Sequence, residues 1–147
     1  MLQGSRFDPF TPLVLGTDMV CENAMRLAFY LHNYNQVSVV YYLGLANHPQ
    51  HYLAREYFNG YGGILSLDLA DDIDPIQFLN TLKLVICATH LGDTRTLALP
   101  VASTIYFESS TKERQEMGVN DNMIRMSIGI EDIDDIVADF EQAFAKF

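Results

Sequence analysis

"MIRMSIGIEDIDDIVADFEQAF", residues 123–144, changes its apolar period halfway along. In the first part Ile124, Met126, Ile128 and Ile130 fall on one face, and Arg125, Ser127 and Gly129 on the other. Period two predicts a strand with one face toward a core. In the second part Ile133, Ile136, Val137, Phe140 and Phe144, continued by Phe147 just beyond it, recur at helical spacing, and acidic residues crowd the first turns, where they complement the helix dipole. A strand running straight into an amphipathic helix needs a layered fold to bury both apolar faces.

The same patterns recur upstream. Leu65, Leu67 and Leu69 alternate with Ser66 and Asp68, which predicts a second half-buried strand. VSVVYY (37–42) is β-branched and aromatic, a third, and LVICA (84–88) reads as a short buried one. A helix is expected from Asp18, which caps it, to Asn33–Asn35, with Met19, Val20, Leu27, Ala28 and Leu31 on its apolar side. NHPQHYLAREYF (47–58) predicts a short helix with Pro49 in its first turn. DDIDPIQFLNTL (71–82) predicts another, with an acidic first turn. Residues 1–17, with Pro9, Pro12, Gly4 and Gly16, read as an arm or linker ahead of a domain over 18–147. Regular crossovers of a doubly wound sheet are missing. The expected fold class is therefore α+β, a mostly antiparallel sheet with helices packed on one face.

Composition narrows the partners. Apolar residues make up 49% and charged ones 19%, a globular balance in a chain of 147 residues. Net charge is −10, and the six Arg and three Lys are scattered, which argues against nucleic acid and anionic membrane. No apolar run is long enough to cross a bilayer and MLQGSRFDPF is unlike a signal peptide, so a cytoplasmic location is expected. Cys21 and Cys87 lie in apolar surroundings without ligand spacing and read as buried free thiols.

Three motifs invite chemistry. In SSTKERQE (109–116), Ser110 and Glu113 form a capping box, which puts Lys112 in the exposed first turn of a surface helix. His48 and His51 have no third ligand at supporting spacing, and GYGG (60–63) precedes a strand, so neither a metal nor a phosphate site is expected there. Arg125 is different. Strand alternation sends it away from the core onto a face kept small by Ser127 and Gly129, where a guanidinium suits bidentate carboxylate recognition or a salt bridge with one of the many acids.

Beyond these local readings, residues 123–144 resemble the closing signature of the Cys/Met-metabolism PLP-dependent enzymes, the family of cystathionine synthases and lyases, methionine γ-lyase and the O-acylhomoserine sulfhydrylases. "ATHLGDTRTLALPVAST" (88–104), "GLANHPQHYLAREYFNGYGGILSLDL" (44–69) and "CENAMRLAFYL" (21–31) resemble further family segments, in order and with family spacing. The resemblance implies the small C-terminal domain of an aspartate-aminotransferase-like enzyme. It also implies that Arg125 grips the α-carboxylate of an amino-acid substrate, with Thr104 as a supporting polar group. His90 stands where the family has serine, and Leu99 and Ile105 where it often has histidines; a histidine can still donate to a carboxylate, while the substrate and reaction stay open.

In the family the cofactor lysine lies in a Ser-x-Thr-Lys motif of the larger domain, so the resemblance makes Lys112 a mimic, and Lys83 and Lys146 match no family lysine. The chain alone is thus expected to carry no catalytic residue, to bind no pyridoxal 5'-phosphate and to be inactive. It would work with a PLP-binding large domain in a homo-oligomeric enzyme of β- or γ-elimination or γ-replacement. The alternative is a stand-alone, non-catalytic remnant that self-associates or binds a partner.

Overall fold

A computed structural model describes the backbone from residue 11 to residue 147 and the side chains from residue 16 onward. Eleven elements follow in order: α1 (Thr11–His32), β1 (Val37–Tyr41), α2 (His51–Tyr57), β2 (Ile64–Leu69), α3 (Pro75–Leu79), β3 (Ile86–Cys87), β4 (Leu97–Pro100), α4 (Val101–Thr104), α5 (Thr111–Glu116), β5 (Met123–Ser127) and α6 (Ile133–Phe144). The strands form one sheet of order β1-β2-β5-β4-β3, antiparallel except for the β3–β4 pair. This is the expected α+β architecture.

The alternating strands supply one side of the core: Leu65 and Leu67 from β2, with Ile124, Met126 and Ile128 from β5 and the residue after it, are buried. Ala24, Leu27, Ala28 and Leu31 of α1 and Ile136, Phe140 and Phe144 of α6 cover that face, joined by Phe78 of α3. The Phe78 ring lies 4.6 Å from Phe144, centroid to centroid. On the opposite face the short α4 adds a minor cluster, in which Val101 and Ala102 meet Leu99, Val119 and Met123.

Several local expectations need correction. α1 already runs from Thr11, the first described residue, so Asp18 lies inside the helix and is not its cap. Met19 is exposed, off the buried face. The arm reading of residues 1–10 lies outside the described residues. Pro49 precedes α2, whose N-cap position is Gln50. α3 is only five residues long, with Asp74 as its cap, accepting the Gln77 N–H at 2.7 Å, and Pro75 in its first turn. Cys87 is exposed and Cys21 only partly buried. β3 pairs with β4 alone, which leaves its other edge uncovered. β4, buried throughout, was not expected as a strand; Pro100 closes it, where a missing N–H costs least.

Candidate functional site

β5 is the middle strand, hydrogen-bonded on both sides, which fixes the backbone at Arg125 between Ser66 of β2 and Leu99 of β4. Its neighbours Ile124 and Met126 are fully buried, while Arg125 is half-buried on the other face. Its Nη2 donates to the Thr89 carbonyl oxygen at 3.3 Å. Among the described residues no carboxylate lies within ion-pair distance of Arg125; the salt bridges involve Arg26, Arg95, Lys112 and Arg114. The salt-bridge alternative therefore finds no partner there. The acid of the nearby loop, Asp93, is engaged by Arg95, whose guanidinium hydrogen-bonds it and holds its carboxyl well below the usual carboxylate range.

His90 follows Thr89 directly, so it is carried on the segment that braces Arg125, and it is exposed. Two residues further on, the Gly92 N–H donates to Ser127 Oγ at 3.2 Å. Arg125 and Ser127 project from the same face of β5, and each holds one end of the 89–92 segment. Thr104 is not drawn into this arrangement. Its hydroxyl donates to the Pro100 carbonyl inside α4. Sequence alternation had marked Ser127 only as a small neighbour of Arg125; the Thr89 contact uses a backbone oxygen, which leaves no trace in the sequence.

The loop that follows β5 is locked as well. Glu131 Oε2 accepts the Thr96 hydroxyl at 3.0 Å, and Thr96 Oγ1 in turn accepts the Gly129 N–H at 3.0 Å. Asn23 of α1 donates to the Gly129 and Glu131 carbonyls at 3.1 and 2.8 Å. A side chain at Gly129 would meet backbone atoms of Thr94 and Arg95 at 2.4 and 2.5 Å, so only glycine permits this approach.

The other motifs fall elsewhere. Ser110 and Glu113 form both halves of the capping box, and Lys112 is exposed with Glu116 Oε1 4.0 Å away. His48 Nδ1 accepts the Gln50 N–H within its own loop, while His51 Nδ1 bonds the Leu43 carbonyl and its ring stacks on Tyr61. Gly62 turns the chain at φ 76° before β2. Among the described residues no helix is long and apolar enough to cross a membrane.

With this geometry in view, comparison with known proteins is informative. The family model of the Cys/Met metabolism PLP-dependent enzymes matches residues 12–145. An L-methionine gamma-lyase of Pseudomonas putida is 39% identical over 132 residues, covering 89% of this chain and 33% of that protein. A homocysteine/cysteine synthase of Saccharomyces cerevisiae is 40% identical over 135 residues, covering 84% and 30%. A crystal structure of cystathionine gamma-lyase from Lactobacillus plantarum, complexed with L-serine, matches with a TM-score of 0.86 at 30% identity, over 90% of this chain and 35% of that one. The chain thus spans about a third of the length of the curated relatives it matches. Similar in sequence along nearly its whole length and similar in fold, the chain belongs to the Cys/Met metabolism PLP-dependent enzyme family.

Proposed function

We propose that this chain is the C-terminal, substrate-binding domain of a PLP-dependent lyase or transferase of sulfur amino-acid metabolism, in which Arg125 holds the α-carboxylate of an amino-acid substrate. The observation that carries this reading is a half-buried guanidinium on the central strand that engages a backbone carbonyl and no acid. A planar fork held in this way can accept a carboxylate through two parallel N–H···O bonds. His90, on the adjoining segment, can donate a ring N–H to the same anion. Thr104 would join only by turning its hydroxyl away from Pro100. Holding the carboxylate fixes the substrate's orientation, which lowers the entropic cost of reaching the reactive geometry.

The cofactor's chemistry is an electron sink, and the described lysines do not fit its amine partner. Lys83, Lys112 and Lys146 are all exposed, whereas an amine that forms a Schiff base sits in a desolvated or cationic pocket. The residues described supply binding and orientation. In an enzyme assembled from this chain and a PLP-binding large domain, Arg125→Ala should lower kcat/KM at least ~10-fold, as loss of a charged bidentate contact does. The melting transition should stay in place. Normal kinetics would remove Arg125 from the site.

A second reading, a module that self-associates or binds a partner without catalysis, is favoured by a different observation. Tyr52, Leu53, Tyr57 and Phe58, on and beside α2, are between 53% and 74% exposed. An apolar group of this kind marks a contact surface. Sedimentation tests it: association that Leu53→Asp and Phe58→Asp abolish would support it, and a monomer at micromolar concentration would count against it.

A further inference from the structure

We propose that Ser127 is a positioning residue for the carboxylate site, acting through Gly92; this rests on the reading of Arg125 given above. Ser127 is almost wholly buried, yet it is polar and lies on the face that also bears Arg125. Its oxygen accepts the Gly92 N–H. A buried polar group on a central strand needs a hydrogen-bond partner, and here that partner is the Gly92 N–H. That partner is in the segment that braces the guanidinium. Arg125 takes the Thr89 carbonyl at one end and Ser127 the Gly92 amide at the other, with His90 and Leu91 between.

Two further observations support a positional role. Gly92 has φ 75°, a conformation that turns the backbone sharply and aims its N–H at the strand. Ser127 and Arg125 are two residues apart on one strand, so any shift of β5 moves both anchors together and leaves their spacing unchanged. Without the Ser127 anchor, residues 89–92 would keep the Thr89 contact and the flanking backbone bonds of Ala88 to Ala98 and of Ile130 to Thr94, but nothing would tie Gly92 to β5. The Thr89 carbonyl that braces the guanidinium would then be held less firmly, and with it the segment that carries His90.

The test uses the 147-residue chain, with L-methionine as the carboxylate probe, followed by nuclear magnetic resonance. In Ser127→Ala without probe, the Gly92 amide should exchange at least ~3-fold faster, as loss of one neutral hydrogen bond predicts, while Ile124 and Met126 amides keep their protection. Ser127→Thr, which retains the hydroxyl, should restore it. With L-methionine the Arg125 side-chain resonance should shift in the wild type, and Ser127→Ala should weaken that binding ~3–10-fold, again restored by Ser127→Thr. Binding at Arg125 that Ser127→Ala leaves unchanged would overturn the positioning role alone. A wild-type chain whose Arg125 resonance does not respond would overturn the carboxylate reading and this role with it. If Ser127→Ala also lost protection at Ile124 and Met126, Ser127 would be a fold residue and the proposal would fail.

Discussion

The carboxylate of Asp139, midway along α6, accepts the backbone N–H of Val85 at 3.0 Å, tying the last helix to the approach to β3. The same carboxylate takes the N–H groups of Lys83 and Leu84, each at 2.8 Å. Three consecutive amides that no strand pairs are satisfied by one buried side chain. Asp139→Ala would deprive all three of this acceptor; the Val85 amide is buried and those of Lys83 and Leu84 are partly so. One unsatisfied buried donor costs about 1–3 kcal/mol, so we expect a loss of about 2 kcal/mol or more in urea denaturation, with Asp139→Asn in between. A loss below about 1 kcal/mol would show that water replaces the carboxylate.

Arg125→Lys keeps the charge and gives up the planar fork. If two parallel bonds to a carboxylate matter, lysine should recover little of the activity lost in Arg125→Ala in the assembled enzyme. Recovery to near wild type would mean that charge alone suffices.

Gly129→Ala should be more damaging than a glycine change at an open position. Its Cβ would collide with the Thr94 carbonyl and Arg95 backbone, which cannot swing aside. Overpacking of this kind costs about 1–3 kcal/mol or more. The displaced turn should also disturb the Thr96–Glu131 contacts. A thermal melt within ~1 °C of wild type would contradict the close approach.

Alkaline stability should follow the buried tyrosines. Burial first, then the 2.7 Å bond it donates to Asp68, push the Tyr41 hydroxyl up to about 12. Burial likewise raises Tyr42, which donates to the Gly62 carbonyl at 2.8 Å. A raised folded-state pKa means the folded chain holds these protons more firmly. The stabilisation is whole below about pH 10, the unfolded value. It is lost as the pH climbs through about 12 for Tyr41 and higher for Tyr42. Tyr41→Phe should flatten the fall of Tm between these limits; parallel curves for the two proteins would refute its share.

Lys112 should behave as a surface residue. Treating the chain with pyridoxal phosphate, reducing with borohydride and mapping peptides should give no preferred lysine. Lys112→Ala should cost less than about 0.5 kcal/mol, the scale of an exposed helical pair. Stoichiometric labelling of Lys112 would overturn both the helix reading and the assignment of the amine to another domain.

What could be read in the sequence was whatever interacts over a few residues. The capping box of Ser110 and Glu113 spans one helical turn, and it is present in full. The alternation around Arg125 and the apolar stripe from Ile133 record which face is buried: Ile124, Met126, Ile128, Ile133, Ile136, Phe140 and Phe144 are buried as read, whereas Ile130 and Phe147, read onto the same faces, are exposed at the ends of their elements. Family membership was legible too, because several ordered segments carry it. Local breakers misled: Pro12 and Gly16 sit inside α1, because the helix is held by packing against β1 and α6.

By itself, then, the sequence determined the periods, the Ser110–Glu113 capping box and the face on which Arg125 emerges, because each depends on residues close together along the chain. Tertiary structure alone decided that LALP is a buried strand, that Cys87 lies on an open edge and that Asp68 and Asp139 are buried acids. It alone decided, too, that Thr89 and Gly92 meet Arg125 and Ser127. These depend on which strands become neighbours, and a backbone carbonyl or amide offers the same hydrogen bond whatever residue carries it, so no side-chain pattern could announce the partner.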